Sequence, residues 1–544
     1  MRRFVATKRT TGLRAKAAIL LIAVALPTQA SAQDIDVVEL TTQDIAAGYA
    51  AGDFTAVELT KAFLARIARY ESHYNAFISM NPDALAIAEA LDVEYAGSGP
   101  RGHLHGVPVV IKDNIDYGGL VTTAGWEGFN TAAGGVDMVP DDDAAVVTRL
   151  REAGAIILGK TNLPDFAGHG TRTNSTVEGQ TLNPYNVTKV PGGSSGGTAT
   201  SVNASFAVLG LGTETGGSIQ NPASAQGLVG VKPTYGLVPI EGVVPLSGTY
   251  VDVVGPLAKT VFDAAVALDV LAGPTTEDLA TFASDGHMPE NGYVAALDET
   301  SLDGKRFGLV GIGWRDDYLP LDPLTEVQYR DAVELLESLG AEVVEDPFAG
   351  TGFVEQYDER TGVRSQGTHD MFVYLQGLGP NAPFNTIQEW EALSGREYTR
   401  GRGGRGGGEG RPPVPARPSA TEEGDAYQAW RFRIRNLFRS VLEENDLDGL
   451  FFPQAGVPNR NIVEDPERPD FAPNNWAEIP SNIVNDLGVP TVTVPFSYFE
   501  DETPFVLAFI GDMWTEAELL AYAYAFEMAA GARVAPELTA NPGG

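Results

Sequence analysis

Two serines in glycine-rich surroundings stand 24 residues apart: Ser194 in "VPGGSSGGTATSV" and Ser218 in "GTETGGSIQNPA". Gly192-Gly193-Ser194-Ser195-Gly196 fits G-x-S-x-G, the strand–turn–helix elbow of many serine hydrolases. Such a hydrolase needs a histidine base, late in the chain, in the order serine, acid, histidine. The six histidines are His73, His103, His105, His169, His287 and His369, and only the last two follow Ser194. Neither stands near the C-terminal end, so the elbow lacks its base. There is no H-E-x-x-H, and His103-Leu104-His105 has no evident third ligand, so no metal is expected. Cysteine is absent, which excludes thiol nucleophiles and Cys-based metal sites.

A base other than histidine remains. Burial favours the neutral form of a lysine and lets it activate a serine. Lys112 ends the apolar run of "GVPVVIKDN", where a charge is out of place. The plainer alternative is a lysine capping a strand edge. To work near neutrality its pKa must fall from about 10.4 to about 7–8.

The elements around these residues alternate. "NAFISM", "GVPVVIKDNI" and "AIILGK" read as short buried strands, and "FAVLGLGTET" is a further apolar run leading into Gly216-Gly217-Ser218. Thr55-Ala56-Val57-Glu58 forms a capping box ahead of Leu59, Phe63 and Ile67 at helical spacing. Asp141-Asp142-Asp143 leads into "AAVVTRLREAGA", an acid-started helix with Gly154 at its C-terminal end. "KRFGLVGI", "LTEVQYRDAVELLESLG" and "AEVVE" give a strand–helix–strand unit. Alternation over this length predicts an α/β fold around a largely buried sheet.

Composition narrows the partners. The 544 residues carry a net charge of −35. Residues 1–32 combine six basic residues, the run "AAILLIAVAL" and Ala30-Ser31-Ala32, the pattern of a cleaved signal peptide. The apolar run is short for a bilayer span, so no stable membrane insertion is expected. Its removal takes the charge to −41, which repels phosphate backbones and opposes nucleic-acid binding. A periplasmic or secreted location follows as the expectation. Residues 33–544 are expected to form a single domain. The Gly/Arg/Pro-rich stretch from Gly401 to Ser419 cannot bury apolar surface and reads as a flexible loop within it.

In order, "GVPVVIKDN", "PGGSSGGTA" and "GTETGGSIQNPA" resemble the amidase signature family of serine amidohydrolases. "GKTNLPDFA", "GLVGVKPTYGLVP", "DVVGPLAKTVFDAAVALDVLAG" and "NDLGVPTVTVP" extend the similarity from about Val37 to Ala530. The resemblance implies a mixed twisted sheet covered by helices on both faces. It implies a Ser–cis-Ser–Lys unit with Ser218 as nucleophile, Ser194 as cis-serine after a cis Gly193–Ser194 bond, and Lys112 as base. It also places the N–H groups of Thr215, Gly216, Gly217 and Ser218 in the oxyanion hole, and Thr122–Phe129 along the pocket. Ser195 is either part of this network or a structural hydrogen-bonding residue. No cofactor is implied. The implied activity is hydrolysis of a carboxylic amide, anilide, carbamate or amide oligomer by a monomer or homodimer. The rivals are a non-catalytic secreted binding protein on the same scaffold and an amidotransferase of the A type. Glu214 and Gln220 stand where the family's commonest motif has Asp and Arg, which puts the local salt bridge in question.

Overall fold

Five residues of "GVPVVIKDN", Pro108–Lys112, are all buried, so this strand must have sheet neighbours on both edges and cover on both faces. The computed structural model shows that arrangement. It describes residues 35–540 apart from residue 249 and segments 364–365, 400–414 and 463–477. The signal peptide expected at 1–32 and most of the Gly/Arg/Pro-rich stretch lie outside the described residues.

In chain order the strands are β1 (Phe77–Met80), β2 (Pro108–Lys112), β3 (Ile156–Thr161), β4 (Asn174–Ser175), β5 (Gly179–Gln180), β6 (Leu209–Glu214) and β7 (Val229–Lys232). They continue with β8 (Val253–Ala258), β9 (Arg306–Leu309), β10 (Glu342–Val344), β11 (Gly449–Pro453), β12 (Thr491–Tyr498) and β13 (Pro504–Ile510). β4 and β5 pair with each other, and the rest form one sheet ordered β1-β3-β2-β6-β8-β7-β12-β13-β11-β9-β10. β2 runs parallel to β3 and β6. β8 is antiparallel to β6 and β7, and β12 to β7 and β13. This is the mixed sheet flanked by helices that the sequence implies.

Local signals act where expected. Thr55 Oγ1 accepts from the Glu58 N–H at 3.2 Å, and Glu58 Oε2 accepts from the Thr55 N–H at 2.9 Å. The helix they start, Ala56–Tyr74, buries Leu59, Phe63 and Ile67 against the main core. The acid-started helix differs. Helix Ala145–Glu152 begins at Ala144 without a side-chain cap, because Asp143 instead accepts from the Gly118 N–H at 2.9 Å. Gly154 lies one residue beyond the C-cap Ala153, with φ +86°.

A second core stands apart from the main one. Trp126, Phe129, Phe166, Phe384, Trp390 and Tyr398 pack ring on ring, with Met371 and Leu375 from helix Gln366–Gly377. The carboxyl ends of the parallel strands β2 and β6 lie side by side, which is where α/β sheets place their ligands. Lys112 ends β2, and the segment leading to Ser218 leaves β6.

Candidate active site

Lys112 has no exposed surface. Its Nζ lies 2.8 Å from Ser194 Oγ, 2.9 Å from Thr213 Oγ1 and 3.2 Å from the Thr213 carbonyl. Asn114 Nδ2 donates to the same Thr213 Oγ1 at 3.0 Å. Among the described residues no carboxylate is ion-paired with Lys112. Burial therefore dominates and pushes its pKa from 10.5 down to about 7, against weaker opposition from Asp252 and Glu214.

Ser194 is fully buried and follows a cis peptide bond at Gly193, as the resemblance implies. A side chain at Gly193 would meet the His169 carbonyl at 2.6 Å, so this close approach requires glycine. Ser195 meets the same Thr213 carbonyl as Lys112. Its Oγ donates to the Thr213 carbonyl at 3.2 Å and lies 3.3 Å from the Thr213 N–H. It therefore zips the serine loop to β6.

Ser218 is 7% exposed where Ser194 is sealed, so of the two serines it is the one open to solvent. The Ser195 N–H donates to the Ser218 carbonyl at 3.2 Å and ties the two glycine-rich loops together. Among the described residues the N–H groups of Gly216, Gly217 and Ser218 have no protein acceptor. The Thr215 side chain is held by Asp252 at 2.5 Å, and Asp252 accepts from the Leu246 and Ser247 N–H groups at 2.8 Å each.

Glu214 and Gln220 answer each other. Gln220 Nε2 donates to Glu214 Oε1 at 2.5 Å, while Glu214 Oε2 accepts from the N–H groups of Ile219 at 2.7 Å and Gln220 at 3.0 Å. The longer acid and the shorter neutral donor close the loop around Ser218 without a salt bridge.

Two stretches singled out in the sequence take defined places. Trp126 and Phe129 of the Thr122–Phe129 segment are buried in the aromatic core, while Thr123 fixes Asp113 beside Lys112 through its N–H at 2.9 Å and its hydroxyl. His103 and His105 diverge: the first ring meets Phe262 edge-on at 5.7 Å, and Nε2 of the second lies 3.3 Å from the Leu91 carbonyl.

Sequence reasoning missed the wall facing the Ser218 loop. Ser481 Oγ lies 3.0 Å from the Gly216 carbonyl and 2.8 Å from Glu478 Oε2. Gly217 has φ +104°, and a side chain there would meet Ser481 Oγ at 2.5 Å. The only available hint was position, just before the quoted "NDLGVPTVTVP".

Residues 58–520 match the amidase family, and the chain belongs to it. It is a hydrolase of carbon–nitrogen bonds. The native peptide amidase of Stenotrophomonas maltophilia is similar at 32% identity and TM-score 0.74, over 92% of this chain and 99% of that one. The A subunit of the glutamyl-tRNA(Gln) amidotransferase of Alkaliphilus metalliredigens is 32% identical, over 91% of this chain and 97% of that protein. The structure of the same amidotransferase component from Thermotoga maritima has a TM-score of 0.66 at 25% identity, over 93% and 99% of the two chains.

Proposed function

We propose that this protein hydrolyses a small carboxylic amide, or a related anilide, carbamate or amide oligomer, through an acyl-enzyme on Ser218. Neutral Lys112 takes the Ser194 hydroxyl proton while Ser194 takes that of Ser218, since a hydroxyl donates and accepts at once. Ser218 Oγ bonds to the amide carbon, and the resulting oxyanion is held by N–H groups of the Thr215–Ser218 loop. Collapse breaks the C–N bond, and the proton on Lys112 returns through Ser194 to the departing amine. Water then cleaves the ester by the same relay and releases the acid. No cofactor enters this route.

The observation that carries the reading is Lys112 itself: sealed, unpaired with any carboxylate among the described residues, and 2.8 Å from Ser194. The likeness to peptide amidase supports an enzyme acting on an amide, and we take it to work free-standing on a small molecule, as a monomer or homodimer. Residues 1–32 support export to the periplasm or beyond. The curated relatives favour a second reading, one component of an amidotransferase, which the net charge of −35 opposes.

A panel of amides, anilides, carbamates and esters, read by product mass, tests this. Acid and amine should form without any partner protein, and Ser218→Ala should lower turnover by at least about 10³-fold. Undiminished turnover in Ser218→Ala would remove the acyl-enzyme. Ammonia transfer that requires charged tRNA and further protein components would establish the second reading. Wild-type kcat/KM should fall on the acid side of about pH 7, as Lys112 takes up a proton.

A further inference from the structure

Ser481 touches two oxygens that ask for the same proton. The Gly216 carbonyl can only accept, at 3.0 Å, and an ionised Glu478 carboxylate at 2.8 Å can only accept as well. One hydroxyl proton cannot serve both. Both contacts are satisfied together when Glu478 is protonated, so that its O–H donates to Ser481 Oγ and Ser481 donates to the Gly216 carbonyl. Once Glu478 ionises, the charge-assisted bond wins, and the Ser481 proton turns to the carboxylate.

The Gly216 carbonyl shares a peptide plane with the Gly217 N–H, and in a trans peptide the two point in opposite directions. Holding one aims the other. We infer that Ser481 is a positioning residue that orients the Gly217 N–H toward the developing oxyanion, and that protonation of Glu478 switches this hold on. The inference rests on the proposed acyl-enzyme at Ser218.

The surroundings suit a carboxyl that titrates in the working range. Burial raises the Glu478 pKa to about 7, with Glu214 opposing ionisation, and with Ser481, Asn221 and Arg315 favouring it. Tyr318 next to Arg315 is itself shifted up and stays neutral. The loop that meets Glu478 through Gly170 carries His169, kept neutral by burial with a pKa of about 4, and Arg172.

Steady-state kinetics from pH 6 to 9 on the full chain test the switch, with Glu478→Gln, Ser481→Ala and Ser481→Thr. The glutamine amide donates to Ser481 as the protonated acid does. Wild-type kcat should decline above pH about 7, and the E478Q-to-wild-type kcat ratio should climb about tenfold across the range. Ser481→Ala should lower kcat about tenfold at pH 6 with KM within about twofold, because a misaimed oxyanion donor acts on the transition state. Ser481→Thr keeps the hydroxyl and should restore most of that loss. An E478Q profile that declines like wild type, or Ser481→Ala with wild-type kcat, would overturn the inference. Either result with Ser218→Ala inactive leaves the acyl-enzyme standing. Full activity in Ser218→Ala would instead remove the reaction on which the switch acts.

Discussion

Lys112 at the end of β2 and Lys232 at the end of β7 are both sealed from solvent, and burial pushes the pKa of each to about 7. Their partners differ. Among the described residues Lys232 Nζ meets only carbonyl oxygens, those of Val489 at 2.5 Å, Pro233 at 3.2 Å and Val484 at 3.4 Å. Three acceptors use three N–H donors and leave no lone pair a task. Lys112 meets two oxygens of Thr213, which can take two N–H donors, and the hydroxyl of Ser194, which can give a proton to the lone pair. Equal burial thus yields a clamp in one place and a base in the other. The partner that can lose a proton makes the difference.

Replacing each lysine with methionine should separate the two roles. Lys112→Met should lower kcat/KM by roughly 10²–10⁴-fold while remaining at least as stable as wild type at pH 7. Lys232→Met leaves the buried carbonyls of Val489 and Pro233 without donors, while that of Val484 keeps the Gly488 and Val489 N–H groups, so unfolding in urea should show a loss of roughly 2–4 kcal/mol, with most of the activity per folded molecule retained. If the two variants exchange these behaviours, the base has been assigned to the wrong lysine.

The same contrast can be read through pH. The Lys112 pKa is 10.5 in the unfolded chain and about 7 in the folded one, a difference of about 5 kcal/mol between the protonation states. Between those values the unfolded chain binds the extra proton, so the site's contribution to stability rises with pH. The penalty is complete below about pH 7 and gone near 10.5. Wild type should therefore gain on Lys112→Met as pH climbs through this window, and Lys232, present in both, cancels from the difference. A flat difference would mean that Lys112 keeps one protonation state throughout, and the proton relay would lose its base.

The lysines also show what the sequence could and could not say. Lys112, Lys160, Lys232 and Lys259 are all buried, and each stands at or beside the end of an apolar strand. Strand pattern alone could not choose among them, and the ordered glycine–serine motifs did. Lys160 is spoken for by Asp113 at 3.3 Å, a partner that no local pattern reveals. The short strands and the capping box at Thr55 were legible because they depend on neighbours in the chain. Sheet order was not, since Lys232 pairs with Thr491 across more than two hundred residues. Ser481 and Glu478 were invisible for the same reason: only the fold brings them against Gly216.

The smallest test concerns Thr213, which distinguishes the surroundings of Lys112 from those of Lys232 by offering a side-chain oxygen. Its Oγ1 accepts from both Lys112 and Asn114, so Thr213→Val keeps the shape and removes one acceptor from the ammonium. The charged form of Lys112 loses more than the neutral form, and its pKa should drop below about 7. The acid limb of kcat/KM should then shift to lower pH, a displacement that loosened packing would not cause. The amine also loses one of the contacts that aim its lone pair at Ser194, so kcat should fall about tenfold. The stranded Asn114 amide should cost about 1–2 kcal/mol of stability. Thr213→Ser returns the oxygen and should restore both the limb and the rate. A limb that moves upward in Thr213→Val would show that Thr213 donates to a neutral Lys112 rather than accepting from it, reversing the sense of the bond that orients the base.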